Sequence, residues 1–189
     1  KILGDAYSQY TKLDFDFRFY HDLRGGNQLA TRLIAGAGFP YGNSSTLPYV
    51  KQFAIGGSSS IRAFRARSIG PGSYTYVKPD TLQTTLLIDQ TADLKLEINA
   101  EYRFGIIGAL KGAGFVDMGN IWTMNEDPDR PGSQFKWDKF IDDFAVGAGF
   151  GIRYDADFFV IRLDLAVPVR DPSKPDSERW IYQTGWDSK

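Results

Sequence analysis

The chain has 189 residues, of which 42% are hydrophobic and 15% aromatic, and its net charge is −1 because 22 basic residues nearly balance 23 acidic ones. This balance gives no basic surplus for nucleic-acid binding, and the composition is too apolar for a disordered chain. The lack of cysteine and the single histidine, His21, exclude disulfides and multi-histidine metal sites. No run of about 18 apolar residues is present, which excludes a spanning helix but leaves a transmembrane β-barrel open.

Six long segments alternate between apolar and polar residues with a period of two, which is typical of β-strands with one apolar and one wet face. In chain order they cover residues 12–19, 29–39, 93–104, 110–121, 144–155 and 159–170. The third is the clearest, because Leu94, Leu96 and Ile98 share one face and charged or amide residues stand between them. Two shorter candidates, 50–55 and 180–184, raise the predicted number of strands to seven or eight.

The connections between these segments are of two kinds. The short ones are 24–27, 106–109 and 155–157, and the longer polar ones are 41–48, 125–138 and 171–179. Short turns that alternate with long loops are typical of an antiparallel up-and-down barrel that has all its tight turns at one end. No segment with a helical period exceeds about two turns.

Alternation alone does not decide which face of the strands is inside. A soluble β-sandwich would bury the apolar face, whereas a membrane barrel would turn it to lipid and enclose the charges in a wet lumen. Apart from the weaker segment 29–39, four segments run for about ten residues or more, which favours membrane-spanning strands over sandwich strands of about 5–6 residues. A closed barrel of seven or eight strands is filled by its own side chains, so it has no room for the charged residues of the polar faces together with water. The sequence therefore predicts an all-β fold that is part of a larger transmembrane barrel, with a soluble sandwich that serves as a binding or structural module as the alternative.

A glycine-rich segment, residues 53–72, breaks the alternation and carries three arginines. A loop of this length inside a compact domain is usually functional or disordered. The segment contains Gly56-Gly57 and then Ile61-Arg62-Ala63-Phe64, and three further motifs follow: Glu101, Phe115-Val116-Asp117-Met118-Gly119, and Ile161-Arg162-Leu163-Asp164-Leu165-Ala166-Val167-Pro168. In their order and spacing these motifs resemble the BamA/TamA superfamily of outer-membrane assembly and translocation barrels, also called the bacterial surface antigen family, and TamA-like members most.

The resemblance implies that a long loop, about residues 56–86, folds back into the lumen. It assigns the loop latch to Arg62, Phe64, Gly56 and Gly57, and the partners on the lumen wall to Glu101, Asp117 and Gly119. Alternation already places Glu101 and Asp117 on the wet face, and the planar guanidinium of Arg62 suits bidentate contact with a carboxylate. Without the resemblance, a solvated loop arginine would be the simpler interpretation. The sequence departs from the family at Ala63, where glycine is usual, and alanine would be strained if the backbone there had a positive φ.

The resemblance also implies a function. The complete protein would insert or translocate proteins at the bacterial outer membrane without catalysis. Its partners would be outer-membrane lipids, unfolded outer-membrane protein clients, and periplasmic or lipoprotein assembly factors. No catalytic, metal or cofactor site is predicted, and a two-partner-type polypeptide secretion pore, which shares these motifs, is the alternative among membrane proteins. Residues 1–189 are expected to form the C-terminal part of one sixteen-stranded barrel domain, without its N-terminal strands, its last strand and its POTRA domains.

Overall fold

The computed structural model describes residues 7–75, 88–156 and 158–181. It contains six β-strands: β1 (Gln9–Asp22), β2 (Gln28–Tyr41), β3 (Leu94–Ile107), β4 (Leu110–Trp122), β5 (Ala145–Ala156) and β6 (Phe159–Arg170). They form one antiparallel sheet in which every strand pairs with its neighbours in the chain. Each strand has 12 to 14 residues, which is enough to cross a bilayer at a tilt. The predicted all-β, up-and-down partial barrel is confirmed.

The number of strands is six among the described residues, where seven or eight were predicted. The 50–55 candidate instead begins with a short 3-10 turn, in which the backbone N–H of Lys51 donates to the carbonyl of Pro48 at 2.7 Å. After this turn Phe53 forms a single antiparallel bridge with Ala92, and the pairing does not continue as a strand. Of the 180–184 candidate, Trp180 forms a single bridge to the end of β6, and residues 182–184 lie outside the described residues.

The two ends of the sheet differ in their connections. At the short-turn end, tight turns join β1 to β2, β3 to β4 and β5 to β6. Glycines supply the positive φ angles in the first two of these turns, 78° at Gly25, 77° at Gly26 and 54° at Gly108. At the long-loop end, residues 42–93 join β2 to β3 and residues 123–144 join β4 to β5. The predicted rhythm of short and long connections is confirmed, although Asp157 of the third turn lies outside the described residues.

The two faces of the sheet differ in polarity as the alternation predicts. On the outer face large apolar side chains are exposed, with fractions of 63% for Phe15, 68% for Leu163 and 81% for Leu165. On the inner face Glu97 and Asp117 are completely buried. A sandwich would cover the apolar face with a second sheet, whereas the described residues form one sheet whose apolar face is exposed, as in a lipid-facing wall. Within residues 7–75, 88–156 and 158–181, no helix is long and apolar enough to span a membrane.

The main hydrophobic core lies on the inner side of the sheet, under the connection between β2 and β3. It consists of side chains from this connection and from the long-loop ends of β4 and β5: Phe53, Ile55, Ile61, Ile69, Ala92, Ile121 and Ala145. Burial of one isoleucine or phenylalanine side chain stabilises the folded state by about 1.5–3 kcal/mol. Residues 53–72 of this connection therefore fold inward and are held against the wall by apolar contacts as well as by the polar contacts described next. Of the predicted loop 56–86, residues 76–86 lie outside the described residues.

Candidate functional site

Two glycines shape the tip of the inner loop, which we define as residues 53–72 of the β2–β3 connection. Gly56 and Gly57 have φ angles of 104° and 92°, and a Cβ at Gly56 would collide with the carbonyl oxygen of Arg65. The N–H of Gly57 donates to the carbonyl of Phe64 at 2.9 Å. This bond closes the tip of the loop into a compact turn that holds Arg62 against the wall.

Arg62 makes a bidentate contact with Asp117 on β4. Its Nε donates to Oδ2 of Asp117 at 2.8 Å, and its Nη2 donates to Oδ1 at 2.9 Å. The backbone N–H of Arg62 donates to the same Oδ2 at 3.2 Å. Its Nη1 donates to Oε2 of Glu101 on β3 at 2.7 Å. One residue of the inner loop thus binds two adjacent strands of the wall.

The surroundings of Arg62 strengthen these ion pairs. The side chain of Arg62 is 11% exposed and that of Asp117 is 1% exposed, so water screens the pair little. The guanidinium carbon lies 3.3 Å from the centroid of the Phe115 ring, which adds a cation–π contact. Burial by itself lowers the pKa of the Arg62 guanidinium, but the hydrogen bonds to Asp117 and Glu101 outweigh burial and raise that pKa, so Arg62 is charged.

Glu101 connects the site to further strands. Arg103 on β3 donates from Nε to Oε1 of Glu101 at 2.7 Å, and Arg153 on β5 donates from Nη2 to Oε2 at 2.8 Å. Asp164 on β6 lies 3.7 Å from Nη1 of Arg62. Ion pairs therefore extend from β3 to β6. Removal of one partner leaves another charge buried without compensation, which typically costs about 3–5 kcal/mol.

A second polar contact between the inner loop and β3 lies beside the first. The Oγ of Ser60 donates to Oε2 of Glu97 at 2.7 Å and accepts from the N–H of Gly56 at 3.1 Å. Glu97 is completely buried, and the Nζ of Lys95 at 3.1 Å compensates its charge. The Nδ2 of Asn99 donates to the carbonyl of Ser60 at 3.1 Å. Ser60 thus couples the glycine turn to the wall independently of Arg62.

Ala63 fits the inner loop without backbone strain. Among the described non-glycine residues only Arg67 has a positive φ, so the strain considered for alanine at position 63 does not arise. On the wall, a Cβ at Gly147 would come within 2.6 Å of the Cβ of Ala63. The glycine on β5 therefore provides the space that the methyl group on the loop occupies.

The structure places Phe64 and Gly119, two of the predicted site residues, at positions where they affect packing. Phe64 is partly buried and packs against the hydrophobic core. Gly119 lies opposite Glu97 in the β3–β4 register, where a Cβ would approach the Cα of Glu97 to 2.9 Å. Glycine at this position therefore permits close pairing of the two strands, and the side-chain hydrogen bonds of Arg62 go to Asp117 and Glu101 instead.

The structure brings Arg62, Glu101 and Asp117 together and adds residues that the motifs do not indicate. Glu97 could have been identified from the sequence, because it shares the polar face of β3 with Glu101 in the alternating pattern. Ser60 could not have been identified in this way, since it is one of three consecutive serines and only the conformation of the loop brings it to Glu97.

Membrane-length strands with an apolar outer face, together with an arginine-bearing loop bound to carboxylates on the inner face, define part of a transmembrane β-barrel with an internal loop. A family model for the Omp85 superfamily domain matches residues 2–186, and the chain therefore belongs to the Omp85 superfamily. The predicted membership of a BamA/TamA-type barrel in the bacterial outer membrane is confirmed.

A solved structure shares this fold. It is the crystal structure of BamA from Haemophilus ducreyi lacking POTRA domains 1-3, which superposes with a TM-score of 0.63 over 85% of this chain at 18% sequence identity. This chain covers 32% of that chain, so it spans about a third of the length of the BamA structure. At this sequence identity the similarity is evidence for a shared fold alone.

Proposed function

We propose that this chain supplies the wall and a loop latch of an outer-membrane barrel that inserts or translocates proteins without covalent catalysis. The observation that carries the proposal is the bidentate contact of Arg62 with Asp117, extended by the bond to Glu101. Membership of the Omp85 superfamily supports it. Unfolded outer-membrane proteins are the proposed clients, and periplasmic or lipoprotein factors are the proposed partners. The TamA-like subtype and the assignment of residues 1–189 to the C-terminal part of the barrel stay predictions.

The docked inner loop would act by stiffening this side of the barrel. Its ion pairs and hydrogen bonds reach β3, β4 and, through Asp164, β6 directly, and they reach β5 through Glu101 and Arg153. A wall cross-linked in this way resists opening, so the barrel would open at another pair of strands. An exposed strand edge can pair with an incoming strand, which is a physical route for protein insertion that needs no chemical step.

The test uses the full-length protein with Arg62→Asp, Asp117→Arg, and both changes together. Each single variant places two like charges in the buried site and should lose most of its activity, measured as the rate at which an unfolded outer-membrane protein inserts into liposomes. The double variant reverses the pair and should recover part of the rate. Arg65→Ala, which removes an exposed arginine of the same loop, is the matched control and should insert clients at the wild-type rate. Folded single variants with wild-type rates would show that the latch has no role in insertion.

A further inference from the structure

Three cationic residues form a row across β4, β5 and β6 near the short-turn end. Lys111 and Arg153 are directly opposite each other in the β4–β5 register, and Arg153 and Arg162 are directly opposite in the β5–β6 register. Like charges directly opposite on neighbouring strands destabilise a sheet. Glu101 and Asp155 offset part of this cost, because they pair with Arg153 and Lys111, but the contact between Arg153 and Arg162 is left without a shared anion among the described residues.

Another pair of arginines in this sheet shows how a carboxylate balances such a contact. Arg18 and Arg32 are directly opposite in the β1–β2 register, and Asp16 binds both. The oxygens of Asp16 accept from Nε and Nη2 of Arg32 at 2.9 and 2.7 Å, and from Nε and Nη2 of Arg18 at 3.1 and 2.9 Å. Both guanidinium groups therefore share one carboxylate.

The pair formed by Arg153 and Arg162 shares no carboxylate with the described residues. Arg153 is buried and donates from Nη2 to Glu101, while its Nε and Nη1 have no acceptor within the described ranges. Asp164 lies 4.0 Å from Arg153, which is beyond hydrogen-bonding distance. Arg162 is exposed, and no described residue forms a hydrogen bond or an ion pair with it.

A cavity of about 290 Å³ opens beside this row at the short-turn end. Four basic side chains contribute to its lining: Arg103, Lys111, Arg153 and Arg162. Glu101 pairs with Arg103 and Arg153, and Asp155 pairs with Lys111 at 3.1 Å, whereas Asp22 accepts a hydrogen bond from the neutral amide of Gln28 at 2.8 Å. Among the described residues, Arg162 is therefore the basic group of this lining without a carboxylate partner, and Nε and Nη1 of Arg153 are the donors beside it without an acceptor.

We propose that Arg153 and Arg162 bind a carboxylate of an acidic polypeptide segment inside the lumen. Two guanidinium forks on adjacent strands match the planar geometry of a carboxylate, as Asp16 demonstrates for the other arginine pair. The inference rests on the proposed function only in taking a client polypeptide as the source of the carboxylate. Binding is measured without client insertion, so its failure is distinguishable from failure of the Arg62 latch.

The experiment measures binding of fluorescein-labelled hexaglutamate to the full-length protein in detergent by fluorescence anisotropy. Arg162→Gln should weaken binding about tenfold, the effect of one lost charge-assisted hydrogen bond. Arg162→Lys keeps the charge but loses the planar fork, so its affinity for hexaglutamate should lie between those of the wild type and Arg162→Gln. Arg18→Gln is the matched control, because Arg18 already has the carboxylate of Asp16, and it should bind hexaglutamate within twofold of the wild type.

Three results would overturn the proposal. Arg162→Gln could bind hexaglutamate as tightly as the wild type, or Arg18→Gln could weaken binding equally, which would mean that only the general charge of the lumen matters. Displacement of hexaglutamate by inorganic phosphate at lower concentration than by acetate would identify a phosphate site instead. Hexaglutamine serves as the uncharged probe and should show no binding that depends on Arg162.

Discussion

Replacement of Arg62 by alanine is expected to release the inner loop from the wall. The variant loses both hydrogen bonds of the fork to Asp117 and the bond to Glu101, and it leaves Asp117 buried with its charge uncompensated by the loop. Breaking one side of a buried ion pair costs about 3–5 kcal/mol, and about 1.4 kcal/mol corresponds to a factor of ten. The population of undocked loop should therefore rise by about a hundredfold or more.

Cysteine labelling measures this population directly. Ile61 is completely buried between the loop and the wall, and the chain contains no cysteine, so Ile61→Cys provides a single thiol that reacts with maleimide only when the loop leaves the wall. In the full-length protein, Arg62→Ala should raise the labelling rate of this cysteine about a hundredfold. Arg62→Lys should give an intermediate rate, because an ammonium group cannot form the fork to Asp117.

The control for this assay is a cysteine that is exposed in both states of the loop. Val50 is 81% exposed, so the labelling rate of Val50→Cys should not change when Arg62 is replaced. If Arg62→Ala changes the rate at Ile61→Cys by less than twofold, the ion pairs do not hold the loop, and the apolar core alone keeps it docked.

Three further predictions concern the inner loop and the loop that precedes β5. Gly147→Ala should lower the unfolding temperature because the new methyl group meets Ala63, and Ala63→Gly should restore it in the double variant. Ser60→Ala should raise the labelling rate of the Ile61→Cys protein by about tenfold, since it removes hydrogen bonds worth about 1–3 kcal/mol. This increase is smaller than the one expected for Arg62→Ala. Burial raises the pKa of the Asp143 carboxyl, although the indole N–H of Trp122 donates to it at 2.9 Å, so stability falls as pH rises from about 4 through this raised pKa. Asp143→Asn keeps the acceptor for Trp122 without the charge, and melting curves across this pH range should show a smaller slope than in the wild type; an unchanged slope would refute the assignment.

The strands and their faces follow from the sequence because a period of two fixes which residues share a face. The segment 50–55 was misassigned because Phe53 and Ile55 have the apolar character of a strand, yet their side chains belong to the core under the inner loop. Apolar composition alone does not distinguish a residue that is buried by a loop from one that is exposed to lipid. The strand count therefore depends on tertiary contacts that alternation does not contain.

The site was predictable to the extent that it depends on strand faces and on the family motif. Alternation places Glu101 and Asp117 on the inner face, and the motif indicates Arg62 as their partner. The pairing of Arg153 with Arg162 could not be predicted in the same way, because it depends on the register between β5 and β6. That register is set by the exact length of the turn between β5 and β6, which the alternating pattern leaves open, and it shifts only at the other end of the strands, between Val146 and Gly147.

Spin-label accessibility along β6 tests most directly which side of the wall faces lipid. Nitroxide labels are placed singly at Arg162, Leu163, Asp164 and Leu165 in the full-length protein in bilayers. Labels at the two leucines should be accessible to oxygen, which dissolves in the bilayer, and labels at the two charged positions should be accessible to a water-soluble nickel complex. Leucine positions shielded from both reagents, or accessibilities that do not alternate along the strand, would contradict a wall whose apolar face meets lipid and whose charged face lines the lumen.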